Sequence, residues 1–137
     1  MVEFLRKNRF LVFYLLPVIV YMGLIFVMSS MPGQYVVPEK SLGFSVPQGI
    51  KHAAEYFVLS VLLVRALAQR RTNITTPFLL AVILSTIYGI TDEIHQAFVP
   101  TRYFSFYDLA FNFFGSVSIF PVCLMVSRLK PKEEKSS

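Results

Sequence analysis

Four long apolar runs alternate with short polar stretches along this chain, and that rhythm is its first structural signal. A hydrocarbon layer about 30 Å thick requires roughly 20 apolar residues in helical form. The run at about 10–28 meets that length, and a shorter, more polar run follows at about 50–68. A third covers about 77–97 and a fourth about 106–127. The pattern predicts an all-α protein, an integral membrane four-helix bundle forming a single domain over 1–137. Pro77 suits a first helical turn, where a missing N–H does no harm. Pro17 and Pro121 fall inside the first and fourth runs, where each predicts a kink.

Composition sharpens this reading. Of 137 residues, 55% are hydrophobic, above the 45–50% usual for soluble domains, and the excess is confined to the four runs. The chain has no Trp, so an interfacial belt must come from Tyr and Phe. Tyr14, Tyr21, Tyr35, Tyr103 and Tyr107 are the candidates. Cys123 is the single cysteine, so an internal disulfide framework is excluded. The first run follows Arg6, Lys7 and Arg9, as a signal peptide would. It is longer than a cleaved hydrophobic segment, no small-x-small site follows, and it reads as a retained span.

The net charge of +5 matters through its placement. Basic residues mark cytoplasmic flanks. Arg6, Lys7 and Arg9 precede the first run, Arg70 and Arg71 lie between the second and third, and Arg128, Lys130, Lys132 and Lys135 follow the fourth. Four spans place these segments on one side, so both termini are expected in the cytoplasm and the cell membrane is crossed several times. Arg65 then lies near the cytoplasmic end of its span and can snorkel. The charged tail, 128–137, reads as a solvated end. It does not imply a nucleic-acid partner, since Glu133 and Glu134 interrupt it and no binding module accompanies it.

This orientation sends a dense set of polar residues to the outer ends of the helices. Residues three and four apart share a helical face. The second run presents Lys51, His52, Glu55 and Tyr56 in one broad arc. The third presents Ser85, Tyr88, Asp92, His95 and Gln96, with Glu93 on the flank. The fourth presents Ser105, Asp108, Asn112, Gly115 and Ser116. A charge in hydrocarbon costs roughly 3 kcal/mol on insertion scales. Three stripes at one depth are therefore expected to face each other around a shared polar pocket open to the outside. Gly115 and Ser116 would let helices approach closely beside it.

The order and spacing of these residues resemble the VanZ-like family. The matching positions are His52 and Tyr56, Tyr88 and Gly89, Asp92, Glu93 and Gln96, Phe98, Pro100 and Arg102, then Asp108, Asn112 and Gly115. Two positions depart from the family pattern. A Lys common three residues before the His is replaced here by the Gln48-Gly49 stretch, and a Gly common between Pro and Arg is Thr101. The resemblance implies a small polytopic membrane protein of the cell envelope, in a family named for association with resistance to a glycopeptide, teicoplanin. It implies an address more than a reaction.

Two functional classes fit the residues. One is recognition of a membrane lipid or lipid-linked envelope intermediate with an anionic head, bound by Tyr56, Tyr88, Gln96, Arg102, Asp108 and Asn112, Arg102 offering a bidentate fork to phosphate. The other is an enzyme on a lipid headgroup, with His52, Glu55, Asp92 and Glu93 as candidate catalytic groups. His52 with Glu55, and Asp92 with His95, are pairs spaced i,i+3 that could hold a divalent metal such as Zn²⁺ or Mn²⁺. Without metal, His52 or His95 would serve as a base oriented by Glu55 or Asp92. The competing structural reading makes the same groups a polar clasp between helices, with Glu55 on Lys51 and Arg102 on Asp108 or Glu93. The number of groups exceeds what fastening four helices requires. Whether a metal binds, whether a reaction is catalysed and whether the chain forms a homo-oligomer stay open at this level.

Overall fold

A computed structural model describes residues 8–32, 48–70 and 73–129. Arg6, Lys7, Tyr35, most of the long first connection, Arg71 and the charged tail from Lys130 lie outside the described residues. Among the described residues all regular structure is helical. α1 is Leu16–Ser29, preceded by a π-helical segment, Leu11–Leu15. α2 is Gln48–Leu67, closed by a single 3₁₀ turn, Ala68–Arg70. α3 is Thr75–Gln96, α4 is Phe106–Val117 and α5 is Phe120–Leu129.

Three stretches, Leu11–Ser29, Thr75–Gln96 and Phe106–Val126, are long and apolar enough to cross a membrane. α2 has the length, at 20 residues, but carries Lys51, Glu55 and Arg65. Its polar character follows from its position, since α2 packs against α4, α3 and α1 and forms the middle of the bundle. Lipid-facing requirements fall on its neighbours, whose outer faces expose Ile19, Leu24, Val27, Ile83, Ile87, Phe114 and Met125.

Both prolines expected to kink their helices lie where the regular α-helical pattern changes. Leu16 donates its N–H to the Leu11 carbonyl, five residues back, so the chain makes a wide turn just before Pro17. Pro17 then occupies the second position of a fresh α-helix, where no N–H is required. The fourth run is interrupted at residues 118 and 119, between α4 and α5. Pro121 offers no N–H to the Val117 carbonyl. The helix stops at Ser118, whose hydroxyl turns back to the Gly115 carbonyl (2.7 Å), and restarts at Phe120.

An apolar core of Val18, Ile25, Tyr56, Leu59 and Ala66 joins α1 to α2. Tyr14 and Tyr21 are half-buried against it rather than placed on an outer belt. The Arg65 guanidinium lies 5.0 Å above the Tyr14 ring, and the Tyr21 hydroxyl donates to the Glu55 carbonyl at 3.3 Å. Tyr103 and Tyr107 are exposed, together with Phe98 and Phe106, and form an aromatic collar where α3 turns into α4.

Candidate functional site

At 3.6 residues per turn, Ser85, Gly89, Asp92, Glu93 and Gln96 fall within about 100° of arc on α3. All five are buried. On α4 the same spacing unites Asp108, Asn112, Gly115 and Ser116, also all buried. α2 adds Gly49, His52, Tyr56, Leu59 and Ser60. The three faces close on each other, and the polar members meet inside.

Their hydrogen bonds are specific. His52 Nδ1 lies 3.1 Å from Asn112 Oδ1, joining α2 to α4. Gln96 donates to Asp92 Oδ2 at 2.9 Å along α3. The Ser105 backbone N–H donates to Glu93 Oε2 at 3.0 Å, and the Ser105 hydroxyl accepts from the Asp108 N–H at 3.1 Å. Glu93 therefore ties down the loop while Ser105 caps α4. Deeper in the bundle the Ser85 and Ser116 hydroxyls meet at 2.8 Å, and Ser116 donates to the Asn112 carbonyl at 2.9 Å.

Several buried atoms find no hydrogen-bond partner among the described residues. They are Tyr56 OH, Ser60 Oγ, Asp92 Oδ1, Glu93 Oε1 and Asn112 Nδ2. Tyr56, Glu93 and Asn112 are fully buried. An unmatched buried polar group costs about 1–3 kcal/mol, and more when charged. Five of them gathered in one small bundle is more than helix fastening requires. One ring nitrogen of His52 and one carboxylate oxygen each of Glu93 and Asp108 also lie within 4.8 Å of one another, and all three residues are buried.

The structure thus gathers His52, Tyr56, Asp92, Glu93, Gln96, Asp108 and Asn112. It treats the other expected residues differently. Glu55 is half-exposed, within electrostatic reach of His52, Asp92, Arg102 and Lys51. Arg102 donates to the Ser29 carbonyl at 3.3 Å, where the loop meets the end of α1. Tyr88 donates to the Met22 carbonyl at 2.6 Å and faces α1. His95 faces α1 as well. Its Nε2 lies 2.9 Å from the Ser30 hydroxyl and its ring stacks on Phe26 at 4.5 Å. Asp92 and His95 take different partners, Gln96 for Asp92 and Ser30 with Phe26 for His95. His95 lies about 60° outside the inward arc of α3, whereas Glu93, read as a flanking residue, lies within it.

Ser29 and Ser30 are partners the sequence reading does not name, and Ser105, placed there on the polar stripe of the fourth run, acts as a helix cap and backbone donor to Glu93. A signal existed for the first two, a pair of hydroxyl residues closing an otherwise apolar run. For Ser105 the signal was its spacing of three before Asp108, a capping pattern.

The family model for VanZ/LLP1 matches residues 11–127, most of the chain. No curated protein and no solved structure matches it.

Proposed function

The chain belongs to the VanZ/LLP1 family, and on that footing we propose that it is a multi-pass protein of the cell membrane. In this reading its polar cluster recognises the anionic head of an envelope lipid or lipid-linked intermediate. The observation that carries the reading is the set of buried atoms without partners among the described residues, Tyr56 OH, Asp92 Oδ1, Glu93 Oε1 and Asn112 Nδ2. Carboxylate oxygens accept hydrogen bonds from the hydroxyl or amide groups of such a head, and Asn112 donates. Arg102, at the adjoining end of the bundle, suits phosphate. The charge bias of the flanking segments puts this end on the outer side, which is where the pocket would open. Any part in glycopeptide resistance belongs to the same proposal, acting through the envelope intermediate bound.

The test is native mass spectrometry of the purified protein with its co-purifying lipids. Wild type is expected to carry a phosphate-bearing lipid that the Asp92→Asn/Arg102→Ala double variant loses while keeping its helical spectrum. A wild type without such lipid, beside a variant that melts early, would reduce the cluster to a structural clasp.

A second reading, an enzyme acting on the headgroup, is favoured by one observation. With Asn112 Oδ1 accepting from Nδ1–H, the His52 ring keeps its lone pair on Nε2, the state a general base requires. Turnover of the co-purifying lipid by wild type but not by His52→Ala would support it.

A further inference from the structure

Glu93 and Asp108 come from different helices, are both buried, and bring carboxylate oxygens within 4.8 Å of each other and of a His52 ring nitrogen. Two carboxylates this close in a low-dielectric bundle repel one another unless a cation or a proton lies between them. Glu93 accepts the Ser105 N–H at Oε2, and its Oε1, fully buried, has no partner among the described residues. Asn112 Oδ1 holds His52 Nδ1 at 3.1 Å, the kind of outer hydrogen bond that would fix the ring with Nε2 as the ligand. We propose that His52, Glu93 and Asp108 form a binding site for a divalent transition-metal ion of the Zn²⁺ or Mn²⁺ type.

The donor set fits that chemistry. One imidazole nitrogen and two carboxylate oxygens are borderline-to-hard ligands, suited to these ions. Zn²⁺ binds such ligands at about 2.0–2.2 Å, so donors as far as 4.8 Å apart converge on one ion with small side-chain rotations. Three protein ligands leave coordination positions open to water or to an oxygen of a bound molecule. Glu93 can serve without releasing α4, because its second oxygen already holds the Ser105 N–H. Each of α2, α3 and α4 contributes one ligand, so the ion would fasten the three helices at one point. The sequence spacing favoured other pairings, His52 with Glu55 and Asp92 with His95. Three-dimensional packing instead selects one residue from each helix.

The site shares the free Glu93 oxygen with the headgroup reading but does not rest on it, and metal titration and lipid mass spectrometry let the two fail separately. The test is equilibrium titration of metal-stripped, detergent-purified full chain with Zn²⁺ and with Mn²⁺, in parallel with elemental analysis. Wild type is expected to take up about one equivalent per chain and to gain thermal stability on doing so. Glu93→Gln and Asp108→Asn, which keep side-chain shape, are each expected to weaken binding at least a hundredfold with an unchanged helical spectrum. Cys123→Ala is expected to bind as wild type, which removes the single thiol as a source of metal. With Mn²⁺, electron spin echo spectra are expected to show coupling to an imidazole nitrogen that His52→Ala loses. This readout serves even if a carboxylate variant fails to fold. Absence of saturable binding in folded wild type, absence of nitrogen coupling, or wild-type affinity in both carboxylate variants would each overturn the proposal.

Discussion

Gly115 on α4 lies directly against the backbone of Ala53 on α2. A Cβ at Gly115 would collide with the Ala53 carbonyl oxygen and come within 2.7 Å of its Cα. This contact brings the α2 and α4 backbones together and lets His52 reach Asn112. Small residues allow the close approach that drives packing where burial from water contributes nothing between helices.

Gly115→Ala is therefore expected to destabilise the bundle. The obstacle is backbone, which moves less readily than a side chain, and overpacking typically costs about 1–3 kcal/mol. Gly89→Ala meets the Tyr56 ring at 3.1 Å and the Asn112 amide at 3.3 Å, so its cost is expected to be smaller. Thermal denaturation in detergent gives the order. Gly115→Ala melting no lower than Gly89→Ala would contradict the close contact.

The His52–Asn112 hydrogen bond is open to a double-mutant cycle with His52→Ala and Asn112→Ala. Interhelical hydrogen bonds in membranes average about 0.6 kcal/mol and reach about 1.7, and a coupling in that range is expected from reversible unfolding. Additive single effects would mean that the two side chains do not interact.

Thr101 has a φ of 67°, the left-handed region, where a β-branched residue is strained. A glycine would adopt this conformation without strain. Thr101→Gly is expected to stabilise the folded state by about 1 kcal/mol, the scale of the left-handed penalty for a residue with a Cβ. A lower melting temperature would show that the threonine side chain contributes more than its backbone costs.

Orientation can be read from two exposed positions at opposite ends of the bundle, Asn73 before α3 and Tyr103 after it. In a Cys123→Ala background, Asn73→Cys is expected to react with a membrane-impermeant thiol reagent only after the membrane is opened. Tyr103→Cys is expected to react in intact cells. Labelling of both from the same side would contradict a crossing by α3.

The Ser105 cap offers a local check. Ser105→Ala removes the acceptor for the Asp108 N–H, at a typical cost of about 1 kcal/mol. It keeps the backbone N–H that holds Glu93. A modest loss of stability with metal uptake retained is expected. Abolished uptake would mean that the cap, more than the Glu93 contact, positions Asp108.

The sequence by itself determined a helical membrane protein, its family, the helix locations and most of the inward faces. Each of these depends on local periodicity and on the cost of polar groups in hydrocarbon, which are set along the chain. The proline positions were legible as irregular points: a π-helical segment precedes Pro17 and an interruption at residues 118 and 119 precedes Pro121. Which polar residues meet was decided only by tertiary structure. His95 and Glu93 lie two positions apart, on opposite sides of a boundary that spacing alone left uncertain. The rotation of α3 set that boundary, and the rotation was fixed by contacts with α2 and α4 far away in sequence. Packing sent His95 to Phe26 and Ser30, and buried Glu93 beside His52 and Asp108, so the proposed metal site draws one residue from each of three helices.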